Sequence, residues 1–171
     1  MKKTLTAAAI LAALLMAGCS GNGTSGSGDS ASATSSDSSA ASTAESTATA
    51  KEKAEKLLAD VEFAGEMVEV TGENMELRLG FTADGLTDYV AYTCGSGAFP
   101  DEFGVFVADS QEKADEIKTA LDKRIETQKS TYQDYTPEEM YKFDDCFVKT
   151  NGTTVYYAIT ADNTKAEEIL K

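Results

Sequence analysis

The chain has 171 residues, with 15 Lys and Arg against 29 Asp and Glu, a formal net charge of −14, and neither histidine nor tryptophan. So acidic a surface is repelled by nucleic acid, which argues against nucleic-acid binding, and by anionic headgroups, which opposes a domain lying flat on a membrane. Without histidine, the usual general base near neutral pH, the Ser-His and Cys-His nucleophile pairs and the commonest zinc ligand are all missing.

Met1-Lys2-Lys3-Thr4 is a positive n-region, and Leu5 to Met16 is an apolar stretch too short to span a bilayer as a mature helix. The small pair Ala17-Gly18 directly before Cys19 resembles a bacterial lipobox, with Met16 standing where leucine is usual. Residues 1–18 are therefore expected to be a lipoprotein signal peptide. Cleavage ahead of Cys19 and lipidation of its thiol would hold the protein to the lipid bilayer, extracytoplasmic, on the outer face of the cell membrane. Cleavage removes Lys2 and Lys3 and no acid, leaving 13 basic against 29 acidic residues and a charge of −16. An anchor of two or more acyl chains holds far better than one.

Residues 19–50 follow as the lipidated cysteine and a flexible linker. From Ser20 to Ala50 the chain is almost wholly Ser, Thr, Ala and Gly, with Asp29, Asp37 and Glu45 as its only charges. Having no Val, Leu, Ile or aromatic residue, it buries too little surface to offset the entropy of ordering. Its root-mean-square reach as a tether is on the order of 30 Å.

The globular domain is expected over residues 51–171, long enough for one core. Ala54, Leu57, Leu58 and Val61 fall at helical spacing and mark a first helix. Glu66 to Val70 reads as a short edge strand; Thr71 to Leu79 is ambiguous, with Met75, Leu77 and Leu79 alternating as in a strand and Glu73, Met75, Glu76 and Leu77 acceptable in a helix, and a short helix is the favoured reading. Thr87 to Cys94 alternates as a strand, with Val90, Tyr92 and Cys94 on one face, and Gly95 to Pro100 is loop chemistry. Phe103 to Ala108 is apolar on both alternations, as in a strand covered on both faces. Asp109 and Ser110 start a long helix with Ala114, Ile117, Leu121 and Ile125 as its core stripe, running to about Thr131. Thr136-Pro137-Glu138-Glu139 predicts another helix start, with Thr136 and Glu139 forming a capping box. Asp145–Thr150 and Thr153–Thr160 are strands joined by Asn151-Gly152, a hairpin turn that pairs Val148 with Val155 and Cys146 with Tyr157. A helix from Thr164 to Lys171 closes the chain. The expected fold is α+β: a two-layer domain with an antiparallel or mixed sheet of about four strands and packed helices.

Candidate chemistry is sparse. Ser110-Gln111-Glu112-Lys113 has the S-x-x-K spacing of penicillin-recognising enzymes, but their S-D-N element is absent, and Ser110 reads better as a helix cap. Asp101-Glu102 and Asp144-Asp145 have the residue types of an acid–base pair, yet charge runs of this kind are usually solvated. Asp84 to Asp88 and Asp162-Asn163-Thr164 lack the ligand spacing of a calcium loop and read as turns. No catalytic residue, metal ligand or cofactor is assigned. Tyr132, Tyr135 and Tyr141 gather between the long helix and the last hairpin and form the candidate binding surface, with packing at the rim of a small core as the plain alternative. Cys94 and Cys146 are expected to point into one core, either as a disulfide or as two buried thiols.

The succession Tyr89-Val90-Ala91-Tyr92, Glu102-Phe103-Gly104-Val105-Phe106, the helical Lys123-Arg124-Ile125-Glu126-Thr127-Gln128-Lys129, Tyr135-Thr136-Pro137-Glu138-Glu139 and Val148-Lys149-Thr150-Asn151-Gly152 resembles the DUF4358 family. The resemblance covers about Lys51 to Lys171. It implies a small lipoprotein of Gram-positive anaerobes carrying a domain of unknown function, and it transfers no catalytic residue. The reading that follows is a membrane-anchored, non-catalytic binding or accessory module whose partner is an envelope protein or a wall ligand. The alternative is a small cell-envelope hydrolase, which the missing histidine and the small size disfavour.

Overall fold

The computed structural model describes residues 48–171, so the expected signal peptide, Cys19 and the expected tether up to residue 47 lie outside the described residues. The first helix, α1 (Ala50–Asp60), begins inside the stretch assigned to the tether. Its start is a capping box: the Thr49 hydroxyl accepts from the Glu52 amide at 3.2 Å, and the Glu52 carboxylate accepts from the Thr49 amide at 2.8 Å. The Thr-x-x-Glu pattern that closes it was present in the sequence.

Then come β1 (Met67–Glu69), α2 (Gly72–Leu79), β2 (Leu86–Cys94), β3 (Glu102–Ala108) and α3 (Gln111–Tyr135). A 3-10 helix (Pro137–Phe143), β4 (Phe147–Asn151), β5 (Thr154–Ile159) and α4 (Asn163–Leu170) complete the domain. Gly80, at φ +89°, ends α2 in the left-handed conformation that glycine adopts without steric cost. Ser110 caps α3 by accepting from the Lys113 amide at 3.3 Å, so the S-x-x-K spacing is a helix start.

The fold is α+β, with an antiparallel five-stranded sheet in the order β1-β2-β3-β5-β4. The count exceeds the expected four because the short edge strand does pair, Val68 standing opposite Thr93. The two-layer expectation is also corrected, since helices cover both faces. On one face Val90, Phe103, Val105 and Ala158 meet Ala54 and Leu57 of α1 and Ala166 and Leu170 of α4. On the other, Ala91, Phe106, Val155 and Tyr157 meet Met75 and Leu79 of α2 and Ile117 and Leu121 of α3. The cause is the doubly apolar β3, which needs cover on both sides. Gly104 is required at its centre, where a Cβ would stand 2.9 Å from the Phe106 ring and 3.0 Å from that of Tyr157.

Two local expectations change. The last hairpin pairs Asn151 with Thr154, leaving Gly152 and Thr153 as the turn. Gly152, at φ +58°, then occupies the first central position, which glycine favours in a type II′ turn. Val148 consequently faces Tyr157, and Val155 faces Thr150. The slip is an even number of residues, so every side chain keeps its face. At Thr136 the capping box does not form: its hydroxyl donates to the Ala98 carbonyl at 3.2 Å, Glu139 pairs with Lys142, and the segment winds as a 3-10 helix.

Candidate functional site

The polar groups of the domain divide between two ends of the sheet. At the end where β2 and β4 begin and end, respectively, α1 and α4 leave a cleft of about 950 Å³. Its floor is Val105, Val107 and Tyr156, set on one face by strand alternation, and its walls are the first turn of α1 and the last turn of α4. The walls are pinned by charge. Asp88 accepts from the Ala50 amide at 3.0 Å, a carboxylate at a helix N-terminus. Lys53 donates to the Leu170 and Lys171 carbonyls at 2.9 and 2.8 Å, a cation at a helix C-terminus. The antiparallel helix pair is tied again at its far end, where Lys165 donates to the Asp60 carbonyl.

Other groups lining the cleft are left available. The side chains of Thr150, Asn151, Thr154, Tyr156, Glu168 and Lys171 make no hydrogen bond among the described residues. An apolar floor with a few convergent polar groups of both charge signs is the composition of a ligand site.

The other end of the sheet is sealed. Asp101 and Glu102, expected to be solvated, are both 1% exposed. Asp101 binds Lys142 at 2.6 Å, and Lys142, itself 2% exposed, also meets Glu139 at 2.6 Å. The Lys142 ammonium lies 5.7 Å from the centre of the Phe99 ring. Glu102 accepts from Arg124 through two parallel bonds of 2.8 and 2.6 Å and from Gln128 at 3.2 Å. Burial pushes both carboxyls up by more than their cations pull them down, while the carboxylates hold Lys142 and Arg124 up against the burial that would lower them. The bidentate geometry keeps the Glu102–Arg124 pair charged, because protonating Glu102 would forfeit charge-assisted bonds to a guanidinium that stays ionised. Asn163 extends this framework, accepting from the Thr160 amide at 2.8 Å and donating to the Lys142 carbonyl at 2.7 Å.

The tyrosines expected to form one surface separate. Tyr132 is 5% exposed and packs its ring 6.1 Å from that of Phe143. Its hydroxyl donates to the carbonyls of Phe99 and Gly97 at 2.8 and 3.1 Å, tying the β2–β3 loop to α3. Burial pushes its phenol up to about 12. Tyr135 and Tyr141 stay exposed, so Tyr132 belongs to the core and only the other two could meet a partner.

Cys94 and Cys146 are free thiols. Two strands, β3 and β5, lie between them in the sheet order, three inter-strand steps or about 14 Å, beyond the Cα separation of about 7 Å that a disulfide allows. Alternation also puts them on opposite faces, Cys94 with Val90 and Tyr92, Cys146 with Val148. The shared core was expected from two hairpins considered apart, without the β3–β5 pairing that joins them. Cys146 lies half-buried against Tyr132, Phe143 and Ile159, its thiol donating to the Phe143 carbonyl at 3.4 Å and pushed up by burial.

No sequence motif marked the cleft, whose lining comes from α1, α4 and four strands. The buried carboxylates had one legible sign, their position at the mouth of a strand apolar on both alternations.

A family model described as "Domain of unknown function (DUF4358)" matches residues 59–160. The match takes in all five strands, α2, α3 and the 3-10 helix, and so the floor of the cleft but not its helical walls. No curated protein and no solved structure matches the chain.

Proposed function

We propose that this chain, which belongs to the DUF4358 family, is an extracytoplasmic protein held to the outer face of the cell membrane through a lipid on Cys19, and that its domain binds an envelope component without transforming it. The observation that carries the binding role is the cleft between α1 and α4. Lys53 of α1 and Asp88 of β2 hold the helices, while Thr154, Asn151 and Glu168 present donors and acceptors beside an apolar floor. Ala48 and Thr49, the first of the described residues, also line the cleft.

Two measurements test this reading. Cys19→Ala should abolish labelling by a fatty-acid probe and leave uncleaved precursor; full labelling of that variant overturns the anchor. Native mass spectrometry of the full chain, extracted from membranes of the producing cell, should show a co-purifying mass that Val107→Arg removes. An unchanged adduct in that variant, or turnover of an ester, peptide or glycan substrate by the purified chain, overturns the binding role.

A further inference from the structure

A second concavity, of about 290 Å³, lies between the C-terminal turn of α2 and the middle of α3, away from the cleft. Arg78 and Lys123 both line it, and neither makes an ion pair or a side-chain hydrogen bond among the described residues, although the chain has nearly two acids for each base. Most other lysines of the domain do have acidic partners, as in Lys56–Asp60, Lys118–Asp122 and Lys149–Glu167. Arg124 lines the same notch, two of its nitrogens bound to the buried Glu102. Glu76 lines it too without closing an ion pair there. Three cations against Glu76 and Glu102 leave the notch one positive charge in excess, within a strongly negative protein.

We infer that this notch is a binding site for a hydroxylated monoanion, a polyol or sugar-like molecule carrying one carboxylate or phosphodiester. Arg78 and Lys123 take the charge, the guanidinium through paired bonds to two oxygens. The last turn of α2 offers backbone carbonyls that no further turn satisfies, and with Glu76 and the Gln128 side chain these accept from hydroxyl groups. A bare inorganic anion would fit less well, since those carbonyls are the negative end of the helix dipole. Leu77, 85% exposed at the lip, gives apolar contact to the carbon skeleton. The same chemistry reaches the protein either free in solution or as a phospholipid headgroup, and Leu77 suits both.

The test follows amide and Arg Nε resonances of the full chain in detergent. Gluconate and glycerophosphoglycerol serve as the free carboxylate and phosphodiester, nanodiscs of phosphatidylglycerol as the headgroup source, and sorbitol as the neutral control. A saturable shift at Gly80, Thr127, Gln128 and the Arg124 Nε is expected, with a dissociation constant of about 1 mM, as suits a small open site. Arg78→Gln with Lys123→Gln should weaken it at least about tenfold, while Lys129→Gln, which removes one positive charge outside the notch, leaves it unchanged. A response to the free probes assigns a soluble ligand, and a response to nanodiscs alone assigns the headgroup. No response to any anion, an equal response to sorbitol, or full binding by the double variant overturns the inference. None of these outcomes bears on the cleft, whose residues the variants leave untouched.

Discussion

The two ends of the sheet carry similar polar side chains and use them differently. At the sealed end, Asp101, Glu102, Lys142 and Arg124 are joined to one another under α3 and the 3-10 helix. At the open end, Asp88 and Lys53 fasten the first and last helices, while the side chains of Thr154, Asn151 and Glu168 make no hydrogen bond among the described residues. The contrast separates charges that hold the fold from groups free to meet a ligand. Paired carboxylates are the usual mark of an acid–base site, but here each is matched to a cation and shut away from solvent.

The largest effect should come from Lys142→Ala, which leaves Asp101 buried without its cation and should cost about 3–5 kcal/mol. Chemical denaturation would measure it, and Asp101→Asn in the same chain should restore much of the loss by removing the stranded charge. Equal instability of the single and double variants would mean that packing of the lysine stem, not its charge, holds this end. Next is Gly104→Ala, where the added methyl meets the Phe106 and Tyr157 rings. A loss of about 1–3 kcal/mol is expected from overpacking, with the melting temperature as readout.

Alkaline titration probes the sealed end in another way. The Tyr132 phenol, held up to about 12, keeps its proton in the fold after an unfolded tyrosine has lost it near pH 10. A raised value means that its contribution is complete below about pH 10 and is lost as pH climbs toward 12. Phenolate absorbance should therefore show Tyr132 ionising late together with the buried Tyr157, whose phenol is also pushed up by burial, and Tyr132→Phe should remove one tyrosine's share of that late amplitude. A domain whose seven tyrosines all titrated together near pH 10 would show that the seal is open. The smallest effect belongs to the cleft: Glu168→Ala and Thr154→Ala, at its rim, should change stability by less than about 0.5 kcal/mol while reducing the co-purifying ligand. A large stability loss there would erase the distinction between the two ends.

Local structure was legible in the sequence wherever neighbours along the chain decide it. The stripe Ala114, Ile117 and Leu121 specified the buried side of α3, Ser110 its start, and the double alternation of Phe103 to Ala108 a strand covered on both faces. These follow from backbone periodicity and from the desolvation cost of unpaired groups at helix ends. Tertiary structure alone decided which strands and helices adjoin, and the misplaced expectations about candidate site residues trace to that. Pairing of β3 with β5 set Cys94 and Cys146 three strand steps apart, the docking of α3 drew Tyr132 inward, and Lys142 and Arg124 turned Asp101 and Glu102 from surface charges into buried ties. A side chain's environment depends on segments far away in sequence, and the cleft and the notch, each lined from several such segments, came into view only once the chain had folded.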